Sequence, residues 1–162
     1  MTDRPLVTNL WFDTQAEEAA RFYTGIFKDG RLGTIHRGTP AGPRATDEVV
    51  LVEFELNGQK FSGLNGGPQF TFNEAVSIVV TCADQAEVDY YWDRLSDGGQ
   101  EKVCGWLKDR YGLSWQIVPA VFFDMIADPD RVRAGRAMQA MYDMTKFDVA
   151  ALERAYAEPG LL

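Results

Sequence analysis

The side chains of this 162-residue sequence that could do chemistry are few and scattered. Its one histidine, His36, stands beside Arg37. A single imidazole without a partner set reads as a surface or satisfied histidine before it reads as a metal ligand. Glu53 and Glu55 alternate in VEFEL, so both face one side of a strand, either as a solvent-facing row or, with Asp13 and Tyr111, as acid/base groups. Cys82 and Cys104 lack a CxxC spacing and are too few for a disulfide framework; they read as buried free thiols. GLNGGP puts three glycines near a strand end, yet no Lys-Ser/Thr follows and no helix begins there. A turn is the better reading than a phosphate loop.

Two similar strand-to-helix passages must position these groups. TQAEEAARFYTGIF from Thr14 is echoed by DQAEVDYYWDRL from Asp84, with Gln15, Ala16, Glu17 and Phe22 aligned on Gln85, Ala86, Glu87 and Trp92. The repeat is too long for a solenoid unit and too short for an ordinary domain, so it is half a domain. PLVTNLWFD alternates as a strand, after which Thr14 takes the N-cap position and Glu17 completes a capping box; Asp84 and Glu87 repeat this after AVSIVVTC. Ala16, Ala19, Ala20, Tyr23 and Phe27 in one helix, and Val88, Tyr91, Trp92 and Leu95 in the other, recur at helical spacing.

Three strands follow each helix. RLGTIHRG, EVVLVEFEL and QKFSGLNG follow the first, with Asn57-Gly58 as a two-residue hairpin turn; EKV, CGWLKD and LSWQIVP follow the second, with a turn closed at Gly112. PQFTFNE connects the two units. The chain is therefore βαβββ written twice, an α+β fold. From Ala120 the pattern changes: Asp128 caps a helix that has Pro129 at its first position, Ala134, Met138, Met141 and Met144 form a stripe for core or dimer packing, and DVAALERAY from Asp148 forms a second helix. The expected division is one domain over 1–162, with module one at 5–67, module two at 75–119 and a helical appendage at 120–162 that covers sheet or meets a partner.

The totals narrow the function classes. At 46% hydrophobic and 12% aromatic residues, the chain can fill a core. With net charge −8 and scattered Lys and Arg, it has no footprint for nucleic acid. MTDRPLVTNL has no basic region followed by an apolar run, and no segment nears the roughly 18 apolar residues of a membrane span, so a soluble cytoplasmic protein is expected.

Tandem βαβββ modules resemble the vicinal oxygen chelate superfamily, the group of glyoxalase I, extradiol dioxygenases, fosfomycin-resistance enzymes and bleomycin-binding proteins. LWFDTQAEEAARFYTGIF, FELNGQKFSGLNGGPQFTFNEAVS, QAEVDYYWDRLSDGG and CGWLKDRYGLSWQIVP resemble its PhnB-like branch, often labelled demethylubiquinone 3-methyltransferase, over nearly the whole chain to about Pro119. The resemblance implies a cupped mixed sheet, pairing of cups within or between chains, and a divalent metal held by His and Glu side chains. Matched by local motif, the ligand positions fall at Val7 or Asn9, Asn65, Ser77 and Gln116. None is His, Glu or Asp, and amides and hydroxyls alone bind zinc, nickel or iron poorly, so no tightly bound metal and no cofactor is expected.

On the strand alternation above, Asn9, Trp11, Phe61, Asn65, Phe70, Phe72, Ser77, Trp106 and Gln116 are candidates for the cup interior. Such walls suit a small, flat, largely neutral ligand held by stacking and oriented by hydrogen bonds, with Asn65 and Gln116 the leading polar contacts. The expected function is metal-free binding of a small organic molecule by a homodimer. The alternatives are a lyase, isomerase or dioxygenase with an atypical metal site or acid/base groups, and, on the label alone, a methyltransferase; the glycine-rich turn that S-adenosylmethionine binding usually relies on does not follow the first strand.

Overall fold

The structure, a computed structural model, describes residues 6–157. Contacts divide the chain into two compact units that meet between Phe72 and Asn73. In the first unit, β1 (Thr8–Phe12) leads into α1 (Ala16–Ile26), followed by β2 (Arg31–Arg37), β3 (Val49–Leu56) and β4 (Gln59–Asn65). The sheet order is β1-β4-β3-β2, with β1 parallel to β4 and the other pairings antiparallel. The second unit repeats this with β5 (Ser77–Cys82), α2 (Gln85–Leu95), β6 (Gln100–Glu101), β7 (Trp106–Lys108) and β8 (Ser114–Pro119) in the order β5-β8-β7-β6, β5 being parallel to β8. The mixed α+β architecture expected from the repeat is thus present in both copies. The start of the first expected strand, Pro5, lies outside the described residues.

Register fixes which side chains share a face, because paired residues on neighbouring strands point the same way. In the first unit Leu10, Phe12, Val52, Phe54, Leu56 and Phe61 are buried beneath the Ala16, Ala19, Ala20 and Tyr23 stripe of α1. Phe54 stacks on Phe61 with ring centroids 5.3 Å apart and on Tyr23 at 6.0 Å. Each such burial contributes about 1.5–3 kcal/mol. Phe61 is therefore part of the core, and it also lines the cavity of the first unit. In the second unit Val88, Trp92 and Leu95 of α2 are buried with Val80, Leu107, Trp115 and Ile117.

The helix openings separate the two copies. Asp84 caps α2 as expected, its side chain accepting from Glu87 N at 3.0 Å, while Ala83 N donates to Glu87 Oε2 at 2.8 Å. The expected Thr14 cap and Glu17 box are not formed at α1. Gln15 occupies the N-cap position, its side chain accepting from Thr14 N at 3.2 Å and making no capping bond, and Ala16 N donates to Asn65 Oδ1 at 2.8 Å, so the first helical amide is satisfied from β4. Glu17 instead pairs with Arg21 at 2.8 Å. The Asn57-Gly58 turn is as expected, both residues having positive φ, 47° and 82°.

Three helices follow β8: α3 (Ala120–Ile126), α4 (Arg131–Tyr142) and α5 (Val149–Ala157). α3 was not anticipated, because AVFFDMI has no capping side chain and reads as a plain apolar run. The cap of α4 is Asp130, which accepts from Val132 N and Arg133 N, and not Asp128, whose carboxylate takes Asp130 N at 2.8 Å and the Tyr156 hydroxyl. Ala134 and Ala137 are buried, while Met138, Met141 and Met144 are half-buried. Gln85 pins α5 to the unit, donating to Phe147 O at 3.0 Å and accepting from Val149 N at 2.8 Å. Among the described residues no helix is long and apolar enough to cross a membrane.

Glu74 tethers the connecting segment to the second sheet. Its carboxylate accepts from Lys102 and, at 2.9 Å, pairs with Lys108; these two ammonium groups hold its carboxyl down at about 2. Since the folded value lies below the free one, the stabilisation is complete above about pH 4.5 and is lost as pH falls towards 2. Urea midpoints of wild type and Glu74→Gln are expected to differ near neutral pH and to converge at the acid end of that window. A gap that persists unchanged into acid would sink the assignment.

Candidate functional site

In the first unit the face away from α1 carries a polar row across the sheet. Ser62 Oγ donates to Asn9 Oδ1 at 2.7 Å, Glu53 is the register partner of Ser62, and His36 Nε2 lies 3.0 Å from Glu53 Oε1. A cavity of about 600 Å³ opens over this face, lined by Arg31, Leu51, Glu53, Glu55, Lys60 and Ser62 among others. Trp11 shares the face but its indole N–H is spent on Gly67 O at 2.9 Å, and Phe70, which is exposed, packs edge-on against the Trp11 ring at 5.0 Å. Phe72 packs edge-on against Phe12 at 5.3 Å, hence against a core residue.

Asn65 faces α1 rather than the open side. It is 6% exposed and committed at both ends, Oδ1 to Ala16 N and Nδ2 to Val49 O at 3.0 Å, while Arg44 donates to its carbonyl. This corrects its expected placement in the cup: the β4 residue opposite Asn9 is Ser62, legible only once the β1–β4 register is known. The glycine run is a turn, as read, since Gly66 N and Gly67 N donate to Phe12 O and Asp13 O.

The second unit brings three expected residues together. Gln116 Nε2 donates to Ser77 Oγ at 2.9 Å, and Trp106 is the register partner of Gln116, so all three share the face away from α2. Ser114, two residues before Gln116 and opposite Ser77, was missed; its period-2 relation to Gln116 was the available signal. It is 1% exposed, and its hydroxyl has no partner among the described residues.

Behind this sheet, CGWLKDRYGLSWQIVP is organised by one carboxylate. Asp109 Oδ1 accepts from Tyr111 N at 2.8 Å and Leu113 N at 3.1 Å, and Oδ2 accepts from the Trp115 indole at 2.8 Å. Cys82 is fully buried, and burial, with Glu87 and Asp84 nearby, pushes its thiol up to about 12, which leaves it an inert core residue. Cys104 is half-buried rather than buried.

The donors at the positions a divalent ion would need do not suit one. Asn9 and Ser62, and again Ser77 and Gln116, are neutral groups bonded in pairs, and Asn65 is held by the fold. Among the described residues no three of His, Cys, Asp and Glu gather closely enough to hold a metal ion.

The family described as 3-demethylubiquinone-9 3-methyltransferase matches residues 4–118. The PhnB protein of Bacillus cereus is 34% identical, with a TM-score of 0.66 over 72% of this chain and 100% of its own. Protein PA1353 of Pseudomonas aeruginosa, 17% identical, has a TM-score of 0.62 over 72% of this chain and 98% of its own. The fosfomycin resistance protein FosX of Mesorhizobium loti, 14% identical, has a TM-score of 0.56 over 79% of this chain and 100% of its own. At these lower identities the likeness is one of fold. No curated protein matches the chain. The repeated βαβββ sheets and the match over both of them make the chain a member of the PhnB-like 3-demethylubiquinone-9 3-methyltransferase family, with a glyoxalase-like, vicinal oxygen chelate fold.

Proposed function

We propose that the protein binds a small organic molecule on the open face of its sheets without a resident metal, and does so as a homodimer. The observation that carries this reading is the pair of amide–hydroxyl couples on the parallel strands of each unit, Asn9 with Ser62 across β1 and β4, and Ser77 with Gln116 across β5 and β8. Neutral donors and acceptors in those places suit hydrogen bonding to an organic ligand and leave a divalent ion underprovided. Among the expected contacts, Ser77, Trp106 and Gln116 have the best support; Asn9, Trp11, Phe70 and Phe72 border the first sheet, and Asn65 acts through the fold that holds them. The exposed Phe123, Val132 and Tyr142 on the C-terminal helices offer apolar surface for pairing.

Native mass spectrometry of gently purified protein tests this directly. The expected spectrum is a dimer with no divalent ion and with organic mass on each subunit. A stoichiometric divalent ion would overturn the metal-free reading. That result would favour the second reading, an enzyme, for which the supporting observation is the His36–Glu53 couple, whose Glu53 lines the cavity of the first unit. The methyl transfer in the family's description has no such support: Asp13, Thr14 and Gln15 join β1 to α1 without a glycine, and the first helical N–H is already taken by Asn65.

A further inference from the structure

Resting on the binding reading above, we infer that the open face of the second sheet recognises a planar molecule with a hydrogen-bond donor beside an acceptor, the edge presented by a lactam or cyclic imide. The hydrogen-bond accounting of the two sheets differs. In the first, the Trp11 indole, the Asn65 amide and the Asn9 carbonyl oxygen are all engaged. In the second, Gln116 spends only its N–H on Ser77. That leaves Gln116 Oε1 as an acceptor, the Ser77 O–H as a donor and the Trp106 indole without a side-chain partner among the described residues.

Ser114 is the second, independent sign. Its hydroxyl lies beside Ser77 in register, buried and unpartnered. A buried hydroxyl left unpaired is a net cost to folding that alanine would remove. Its place is explained if a ligand atom supplies the missing bond. The ligand's acceptor then meets Ser77 and Ser114, its donor meets Gln116 Oε1, and its flat face meets Trp106. Lys108, which shares this face, is paired with Glu74, a carboxylate that it shares with Lys102.

Calorimetric titration with 2-pyridone and N-methyl-2-pyridone tests the edge, because the second has nearly the same ring and carbonyl but no donor. Wild type is expected to bind 2-pyridone at least about tenfold more tightly than the methylated ring, since an unpaired buried acceptor opposes the latter. Ser114→Ala is expected to raise the melting temperature while weakening 2-pyridone by about tenfold, and Gln116→Met to remove the discrimination. Equal binding of the two rings would overturn this inference and leave the broader binding reading intact. So would a Ser114→Ala variant that is destabilised yet binds normally. Binding of neither ring also overturns it, and the ligand mass seen on purified protein then judges the broader reading separately.

Discussion

Asp109→Ala is expected to cost about 3–5 kcal/mol of stability, the range for removing one member of a buried polar network. The carboxylate is 3% exposed and takes three N–H groups, two from the turn between β7 and β8 and one from Trp115, itself 1% exposed. Alanine would take the carboxylate acceptor from the buried Trp115 indole and Leu113 N and from the half-buried Tyr111 N, at about 1–3 kcal/mol for each buried bond lost, less what relaxation recovers. Asp109→Asn keeps one acceptor for the turn and should lose less. Chemical denaturation gives the energies, and the emission of Trp115 should shift as its environment opens. A loss below about 1 kcal/mol would show that the turn is held by its backbone alone.

Gly105→Ala should cost about 3 kcal/mol, the sum of a left-handed backbone and an overfilled core. Gly105 has φ 76°, and a Cβ there would stand 2.4 Å from the Phe147 ring and 2.9 Å from Ile117 O. The loop cannot retreat cheaply, because Gly105 N donates to Thr145 O and Gly105 O accepts from Ile117 N, each at 2.8 Å. Gly112→Ala separates the two contributions. Its φ is 84° with nothing within 4 Å of a new Cβ, so only the backbone part, about 1–2 kcal/mol, should be lost. Equal losses at the two positions would mean that Phe147 yields.

Features written within a few residues were legible in the sequence. Asp84 and Glu87 cap α2, and Asn57-Gly58 turns the hairpin, because each device is complete in its own short segment. The cap of α1 was not, since its acceptor lies 49 residues away and reaches Ala16 only through the parallel pairing of β1 and β4. The same pairing decided the facing of Phe61, Asn65 and Ser62, which alternation alone leaves as a choice between two sides. Two aspartates two positions apart competed to start α4, and the later one, beyond Pro129, won. At the candidate site, Ser77 and Gln116 were named by likeness of local motif and Trp106 by strand alternation, and the register puts the three on one face. Ser114 has the same period-2 relation to Gln116, but a small hydroxyl in a buried strand looks like ordinary filling until its bonds are counted.

The borrowed cap of α1 also sets an order of events. α2 carries its own Asp84 and can complete its first turn before any strand has paired. α1 cannot, since Asn65 arrives only when β4 has closed a long loop against β1, the kind of non-local contact that forms late and slowly. Two copies of one motif are therefore unequal folding units: the second can nucleate locally, while the first must find its sheet before its helix is whole.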